Sequence, residues 1–296
     1  MRIILHVASL LAGFTAPVAF AQNTAPQTGT TPFGPAKGEM TKLADDVHTF
    51  SYAGARTLVV TTPDGVIIGD PISPKAAPVL RAEIKKLTAK PVKYMVYSHS
   101  HWDHVLGGKI FKDEGATVVS QRNCLESFYR YPNKDLVLPD VSYDQHMNII
   151  LGGRTVRLLY LGLNHSDCMT FLHVPHARLL HIVDLVTPGS VPTGTGKMED
   201  TYLLDTIRTL KDIENLDFDV MVGGHGAPSA PKAAVAERRA YMEALMTAVR
   251  AEIDKGTPFG QIPGAVSLPQ FKHLNGYDRF LRHNAERVLI FNTIGW

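Results

Sequence analysis

Residues 98–104 read Ser-His-Ser-His-Trp-Asp-His and hold four potential metal ligands: His99, His101, Asp103 and His104. The apolar run at 94–97 predicts a buried strand, so the ligands lie in the loop that follows its end. Imidazole nitrogens and carboxylate oxygens together suit zinc or a similar first-row metal ion. Because side chains alternate along an extended segment, the first two histidines and the aspartate can point one way, while the last histidine turns off at a helix start. This stretch therefore predicts a metal site with two groups of ligands in one loop.

The composition is that of an ordinary globular protein with one excess, its histidines. The 296 residues are 45% hydrophobic and 20% charged, which suits one large domain or two small ones. The 30 lysines and arginines against 28 acidic residues leave a formal charge of +2, too balanced to predict a nucleic-acid partner. The 13 histidines direct attention to a metal site, and the expected partner is a small-molecule substrate.

The two cysteines, Cys124 and Cys168, are too few for a disulfide-framework scaffold or a four-thiolate zinc site. Cys168 lies three residues after His165, and three interpretations of it are open. It can be a buried apolar side chain, a disulfide partner of Cys124, or a neighbour of the metal site. We favour the first.

The beginning of the chain is expected to lie outside the folded domain. A basic start, an apolar run to Phe20 and an Ala-x-Ala motif predict a signal peptide over residues 1–21, cleaved before Gln22. A membrane anchor is disfavoured, because the run contains a proline and no charged stop follows it. Residues 22–38, rich in glycine, proline, threonine and glutamine, predict a flexible leader, and 39–296 a single domain. The mature protein is thus predicted to be periplasmic or secreted, without a stable membrane anchor.

The rest of the chain twice repeats a block of strands followed by helices. The predicted strands are Val47 to Phe50, Thr57 to Thr61, Val66 to Ile68, Tyr94 to Tyr97, Met147 to Leu151, Arg154 to Leu161, Thr170 to Val174, Leu179 to Val183 and Val220 to Val222. Helical spacing of apolar residues predicts helices over Ala76 to Leu87, through Leu203 to Ile213 and through Met242 to Ile253. Two such blocks predict an α/β fold in which two sheets pack face to face with helices outside, a four-layer αβ/βα sandwich.

The motif His-x-His-x-Asp-His after a strand resembles the signature of the metallo-β-lactamase superfamily of zinc hydrolases. The later ligands of that pattern occur in order: His165 in Gly-Leu-Asn-His, Asp184 at the end of Leu-Leu-His-Ile-Val-Asp, and His225 in Gly-Gly-His-Gly. Each lies where a predicted strand gives way to a loop, so all can converge on one edge of the sandwich. The resemblance runs from about Val47 to Leu245.

The resemblance implies two bound metal ions, expected to be Zn²⁺, with Fe or Mn as other possibilities. It places His99, His101 and His165 on one metal and Asp103, His104 and His225 on the other, with Asp184 bridging. Two such ions hold a hydroxide that attacks activated acyl bonds such as those of β-lactams, lactones, thioesters and esters. Asp103 is the implied catalytic residue, because it can orient the hydroxide and pass a proton to the leaving atom. The expected function is that of an exported binuclear zinc hydrolase.

Two other functions fit the same resemblance. Persulfide dioxygenases of this fold hold one iron through two histidines and the aspartate, so the identity of the metal separates them from zinc hydrolases. A non-catalytic periplasmic relay protein for metal or substrate would show no turnover. Among the hydrolases, a bridging Asp184 favours lactonases and generalist enzymes, because dedicated histidine-rich β-lactamases do not use that aspartate as a ligand. Glyoxalase-type thioesterases are disfavoured, since an exported enzyme rarely meets glutathione conjugates.

Three loops are candidates for selecting the substrate. Arg122 to Tyr143 contains several aromatic residues and forms either an aromatic wall over the site or a helix and connector that cover the sheet. Pro188 to Lys197 is glycine-rich and suits a mobile rim. Ser51 to Arg56 suits a hairpin tip that closes over substrates.

Trp102 and the remaining histidines are not expected to bind metal. Trp102, between the ligands, is expected to turn into the core. His181 lies on a predicted strand and either supports the ligands or is an ordinary strand residue. The histidines without a ligand context are His48, His146, His173, His176, His273 and His283.

Overall fold

The computed structural model of the protein describes residues 30–31, 34–193 and 197–295. The predicted signal peptide lies outside these residues, as does most of the predicted leader. The described part of the leader contains a short antiparallel pair, β1 (Thr30–Thr31) with β2 (Gly34–Pro35). The signal, leader and single-domain assignments therefore stay predictions.

The helices differ widely in length, and the longest follow the second sheet. They are α1 (Ala76–Leu87), α2 (Trp102–Val105), α3 (Lys109–Asp113), α4 (Cys124–Arg130), α5 (Leu203–Glu214), α6 (Ala233–Asp254), α7 (Ile262–Ala265) and α8 (Tyr277–Ile294). Single 3₁₀ turns occur at Pro175–Ala177, Phe259–Gln261 and Pro269–Phe271. Within the described residues, no helix is both long enough and apolar enough to cross a membrane.

The first sheet has seven strands in chain order. They are β3 (Glu39–Lys42), β4 (Val47–Tyr52), β5 (Ala55–Thr62), β6 (Gly65–Ile68), β7 (Val92–Val96), β8 (Thr117–Gln121) and β9 (Val141–Tyr143). The first four pair antiparallel, and β6 to β9 run parallel. Parallel neighbours need a crossover connection, which α1 supplies between β6 and β7.

The second sheet has six strands, again in chain order. They are β10 (His146–Leu151), β11 (Arg154–Leu159), β12 (Phe171–Val174), β13 (Leu179–Ile182), β14 (Val220–Gly223) and β15 (Ala230–Pro231). All neighbours are antiparallel except β13 and β14, which are parallel and joined through α5.

Alternation along the central strands separates an inner face from an outer one. In β5, Leu58 and Val60 lie in the apolar core between the sheets, whereas Val59 packs toward the outer helices. In β13, Leu179 lies in the same inner core and Leu180 in the outer layer. Side chains two residues apart share a face of a strand, so the sequence pattern fixes which residues meet between the sheets.

Helices cover both outer faces. Leu80 and Ile84 of α1 belong to the cluster that packs on the first sheet, and Leu210 and Ile213 of α5 to the one on the second. Spacings of three and four residues place each pair on one face of its helix. The predicted four-layer αβ/βα sandwich is confirmed, and α1 has the predicted bounds.

A further helical cluster packs beyond the second sheet. The later turns of α6 join α7 and α8 in a buried apolar core, which also takes in Val191 and Met198 from the loop after β13. Inside this core, the Tyr241 hydroxyl donates a hydrogen bond of 2.9 Å to Asn284 Oδ1 and so ties α6 to α8. The sequence pattern predicted the apolar face of α6, whereas α8 and β8 are additional findings.

Cys124 and Cys168 form a disulfide, and both residues are fully buried. The favoured prediction, an unpaired buried side chain, was right about burial and wrong about pairing. The reason is that α4 and the segment leading into β12 share one apolar cluster, where the two Cα atoms lie 5.2 Å apart. The bridge ties the helix layer of the first sheet to the segment that follows His165.

Candidate metal centre

The predicted ligands come together where strands of both sheets end. His99, His101, Asp103 and His104 follow β7, His165 lies between β11 and β12, Asp184 follows β13, and His225 follows β14. Parallel pairing of β13 with β14 makes the last two loops leave the second sheet at the same edge. The structure brings all seven residues into two adjoining clusters that share Asp184.

The first cluster consists of three histidines and the shared carboxylate. One ligand atom from each of His99, His101, His165 and Asp184 lies within 4.8 Å of all the others. His165 Nε2 is 3.3 Å from His101 Nδ1 and 3.6 Å from Asp184 Oδ2, and His99 Nε2 is also 3.6 Å from that oxygen. These four donors form the nitrogen-rich set that zinc prefers.

The second cluster contains two histidines and two carboxylates. Its members, Asp103, His104, Asp184 and His225, likewise hold ligand atoms within 4.8 Å of one another. Asp184 Oδ2 lies 3.0 Å from His104 Nε2, and its Oδ1 lies 3.2 Å from His225 Nε2. Asp103 Oδ2 is 3.4 Å from His104 Nε2 and 3.7 Å from His225 Nε2. The residues divide between the two clusters as the sequence resemblance implies, and their role as metal ligands stays a prediction.

The backbone at Asp184 is adapted to this position. Its φ is +56°, in the left-handed region that non-glycine residues rarely adopt. Gly224 allows the close approach, because a Cβ built there would lie 2.4 Å from Asp184 Oδ1. Such local strain persists only where the surroundings hold it, and it is concentrated at functional sites.

The chemistry of the first cluster fits a bound cation. His99 is fully buried and its Nε2 has no hydrogen-bond partner, which is costly unless the lone pair meets a metal. Burial and the neighbouring histidines lower the pKa of His99 well below its usual range, and burial lowers that of His101 as well. Both rings are thus held in the neutral form that binds metals.

In the second cluster, unlike the first, the carboxylate and the imidazoles favour each other's charged forms. Burial alone would raise the pKa of Asp184, but His104 and His225 lower it well below its ordinary value. Burial alone would lower the pKa of His104 and His225, yet Asp184 raises both. A cation that binds here therefore displaces protons from these imidazoles and takes over their attraction to the carboxylate.

A buried aspartate that the sequence analysis missed orients two ligands. Asp70 is fully buried and accepts hydrogen bonds of 2.7 Å from Ser98 N and from Ser98 Oγ. Since that hydroxyl donates to Asp70, it accepts from His99 Nδ1 at 2.8 Å, which leaves His99 Nε2 to face the cluster. Asp70 Oδ2 also lies 3.3 Å from His104 Nδ1. The sequence feature that could have identified Asp70 is its position as an acidic residue directly after the run at 66–69, which predicts a buried strand.

A second carboxylate lies beside the outward nitrogens of the first cluster. Asp200 is 3.9 Å from His101 Nε2 and 3.7 Å from His165 Nδ1, the ring atoms opposite to those that face each other. On the other side, His225 Nδ1 donates to Gly54 O at 2.8 Å, which turns its Nε2 toward Asp184. The hydrogen bond to Gly54 thus orients His225, whereas Asp200 lies beyond hydrogen-bond distance of His101 and His165 and acts on them through its charge.

Both clusters open into a cavity of about 1000 Å³. Two of the predicted loops contribute to its wall: the β4–β5 hairpin through Ser51 to Arg56, and the segment after Asp184 through Pro192 and Thr193. Residues 194–196 of the predicted rim lie outside the described residues. Among the described residues that line the cavity, none comes from Arg122 to Tyr143. This segment forms α4, a connector and β9, which is close to the helix and connector of the second interpretation.

The structure also shows where Trp102 and His181 lie. The prediction that Trp102 packs in the core was wrong, since the residue is 51% exposed. It opens α2, and because His104 and Val105 are the residues of that turn that face inward, Trp102 faces outward. His181 is buried between the sheets, where its Nδ1 donates to Val222 O at 3.0 Å, and it belongs to neither cluster.

Residues 54–225, more than half of the chain, match the family model of the metallo-beta-lactamase superfamily. The chain belongs to the metallo-β-lactamase superfamily. The match includes all seven residues of the two clusters, from His99 to His225.

Two curated proteins are similar to this superfamily member. The α subunit of 2,4-dinitroanisole O-demethylase from Nocardioides sp. (strain JS1661) is 27% identical over 195 residues, which covers 64% of this chain and 56% of the relative. The linear primary-alkylsulfatase of Pseudomonas sp. (strain ATCC 19151) is 22% identical over 296 residues, with 80% and 55% covered. The chain spans about half the length of these curated relatives.

Solved structures of other proteins share the fold at low sequence identity. A metallo-beta-lactamase from Pontibacter korlensis has a TM-score of 0.63 at 20% identity, covering 70% of this chain and 99% of that one. The stereoselective inverting sec-alkylsulfatase Pisa1 from Pseudomonas sp. has a TM-score of 0.68 at 14% identity, covering 88% and 50%. These likenesses establish the architecture and leave the reaction to be argued from the site.

Replacing the shared carboxylate should empty at least one of the two clusters. In Asp184→Ala, we expect the metal content of the zinc-loaded protein to fall from the two ions per chain that the sequence resemblance implies to about one or fewer, because both clusters lose their common carboxylate. Metal analysis of the folded, gel-filtered protein measures this. Asp254→Ala, at the exposed end of α6, is the matched control and should keep the wild-type metal content. An Asp184→Ala protein that still holds two ions would show that this residue does not bridge.

Proposed function

We propose that the protein is a binuclear metal-dependent hydrolase that cleaves ester-type bonds of small molecules, including strained lactones and β-lactams. The observation that carries the proposal is the pair of four-donor clusters sharing Asp184 at one wall of a large cavity. Seven ligand residues are too many for one tetrahedral ion and suit two. Zinc is the proposed metal, since the clusters combine imidazole with carboxylate, a set that iron or manganese can also use.

A pair of zinc ions supplies Lewis acidity and lowers the pKa of the water that it binds. The protein's own residues supply orientation and proton transfer. Asp103 lines the cavity with its carboxylate half-exposed, so it can take a proton from the attacking water and deliver it to the leaving atom. His99 and His101 stay neutral as ligands through burial, and Asp70 keeps His104 in place from behind.

The cavity supports a drug-sized substrate with an apolar part. Its walls include Leu185, Met198, Met242 and Phe280 beside the polar metal end. The names of the relatives widen the range of bonds to be tried, because one relative is an alkylsulfatase and another an O-demethylase for 2,4-dinitroanisole. The panel of test substrates therefore contains sulfate esters and activated aryl ethers as well as lactones, β-lactams, thioesters and aryl esters.

Turnover by the zinc-loaded protein tests the proposal. We expect at least one bond class in this panel to be hydrolysed, with activity lost on chelation and restored by zinc. Asp103→Asn should lower kcat by about 10²-fold or more, because it removes a proton carrier and a ligand. Asp113→Asn, an exposed aspartate of α3, is the control and should behave as wild type.

Other outcomes would identify a different function. A protein with two zinc ions and no turnover across the panel would contradict hydrolysis and support a relay role. One tightly held iron together with oxygen consumption would support a persulfide dioxygenase.

We also propose that the protein is exported. The sequence of residues 1–21 carries this proposal, and the buried Cys124–Cys168 disulfide supports it, because disulfides persist mainly in oxidising compartments. A periplasmic or secreted hydrolase meets small molecules from the surroundings, which agrees with the open cavity.

Intact-mass analysis of protein from its native host tests export. We expect a mature chain beginning at Gln22, and a mass that changes with thiol alkylation only after reduction, as a disulfide requires. A chain that still begins at Met1, or free thiols at Cys124 and Cys168 in the native protein, would argue against export.

A further inference from the structure

Arg238 is one of the arginines of the cavity wall that form no ion pair with an acidic residue in the described part of the chain. Arg238 of α6 is only 6% exposed and lines the cavity that holds the metal-ligand clusters. Within the described residues it makes one hydrogen bond, from Nη2 to Ser190 O at 3.1 Å, and no ion pair. Its chain neighbour Arg239, in contrast, is paired with Glu214 and Glu243.

A buried guanidinium of this kind is costly to keep. It carries five N–H donors and a charge that cannot be lost at neutral pH, so burial without an acid leaves it poorly compensated. Burial lowers the pKa of Arg238 to about 10, which still leaves it protonated under physiological conditions. The nearby ionisable groups are Tyr241 and Glu237, and the Glu237 carboxylate is hydrogen-bonded to His273. Arg238 therefore lines the cavity with no carboxylate of the described residues bound to its charge.

The cavity wall around Arg238 also combines positive charge with apolar side chains. Helices α6 and α8 line the cavity with Arg238, Met242, Arg279 and Phe280, and no carboxylate of their described residues lines it. Arg279 stacks on the Phe280 ring with its guanidinium carbon 4.9 Å from the centroid. The acidic lining residues, Glu39, Asp103, Asp184 and Asp200, come from other segments. The α6–α8 wall thus presents cationic and apolar side chains, and Lys37 and Arg56 add positive charge to the lining from other segments.

We propose that the α6–α8 wall is an anion subsite, and that the substrate carries a carboxylate or sulfonate separated by an apolar spacer from the bond to be cleaved. This inference rests on the proposed hydrolase function. Arg238 receives the anion, because its planar guanidinium can bind two oxygens of one carboxylate side by side. Arg279 adds a second charge at an exposed position, while Met242 and Phe280 contact the spacer.

Matched substrates test this assignment. A series of mono-4-nitrophenyl esters of dicarboxylic acids of increasing length is compared with neutral 4-nitrophenyl esters of the same chain lengths. Wild-type protein should show a lower KM for the anionic ester at one preferred length. Arg238→Met should raise that KM about 10-fold or more, the usual effect of losing a charged hydrogen bond, and should change the KM of the neutral ester less than about 2-fold. Arg250→Met, exposed on the same helix and paired with Asp254, is the control.

A binding measurement separates this proposal from the proposed function. Calorimetry of the zinc-loaded protein with the free dicarboxylate should show weaker binding in Arg238→Met, whether or not any ester is hydrolysed. Arg238→Lys should keep part of the affinity, because it keeps the charge and loses the planar fork. If the methionine variant does not fold, Arg238→Gln makes the same comparison.

Failure of the anion subsite and failure of the hydrolase function give different results in these experiments. Ester hydrolysis with equal KM changes for anionic and neutral substrates, or unchanged dicarboxylate affinity in the variants, would overturn the subsite and leave the hydrolase standing. Loss of dicarboxylate binding without any turnover would support the subsite and count against the hydrolase.

Discussion

The attraction between the Asp184 carboxylate and the imidazoles around it is the interaction on which the site depends. One oxygen faces His104 at 3.0 Å and the other faces His225 at 3.2 Å, and both neighbouring clusters include this residue. To reach that position the backbone adopts a left-handed conformation at Asp184, and Gly224 leaves room for the side chain. The two sheets supply the setting, because parallel β13 and β14 deliver Asp184 and His225 to one edge.

The sequence predicted the parts of the molecule that obey short-range rules. Apolar alternation located the central strands, since a residue such as Val59 must face away from Leu58 and Val60. Helical spacing fixed α1, whose apolar residues face the first sheet. The four candidate ligands at 99–104 were found because histidine and aspartate rarely occur at that density for another reason, and His165, Asp184 and His225 were found through the resemblance to the superfamily pattern.

Other features depend on contacts between distant segments and carry no local pattern. The disulfide forms because α4 and the segment before β12 meet in one cluster, although their cysteines are separated by 44 positions. Asp70 is significant only because folding places Ser98 and His104 against it. Arg238 has the sequence context of any arginine on a long helix, and only the folded structure shows that it is buried beside the cavity and bonded to Ser190 in the loop after β13. Such residues are recognised by their surroundings and not by their type.

Anomalous diffraction at the zinc absorption edge, on crystals of the zinc-loaded protein, tests the shared binuclear centre most directly. Two anomalous peaks are expected, about 3.5–4 Å apart, with the Asp184 carboxylate between them and the three histidines of the first cluster around one peak. A single peak, or two peaks of which neither is bound by Asp184, would contradict the shared binuclear centre.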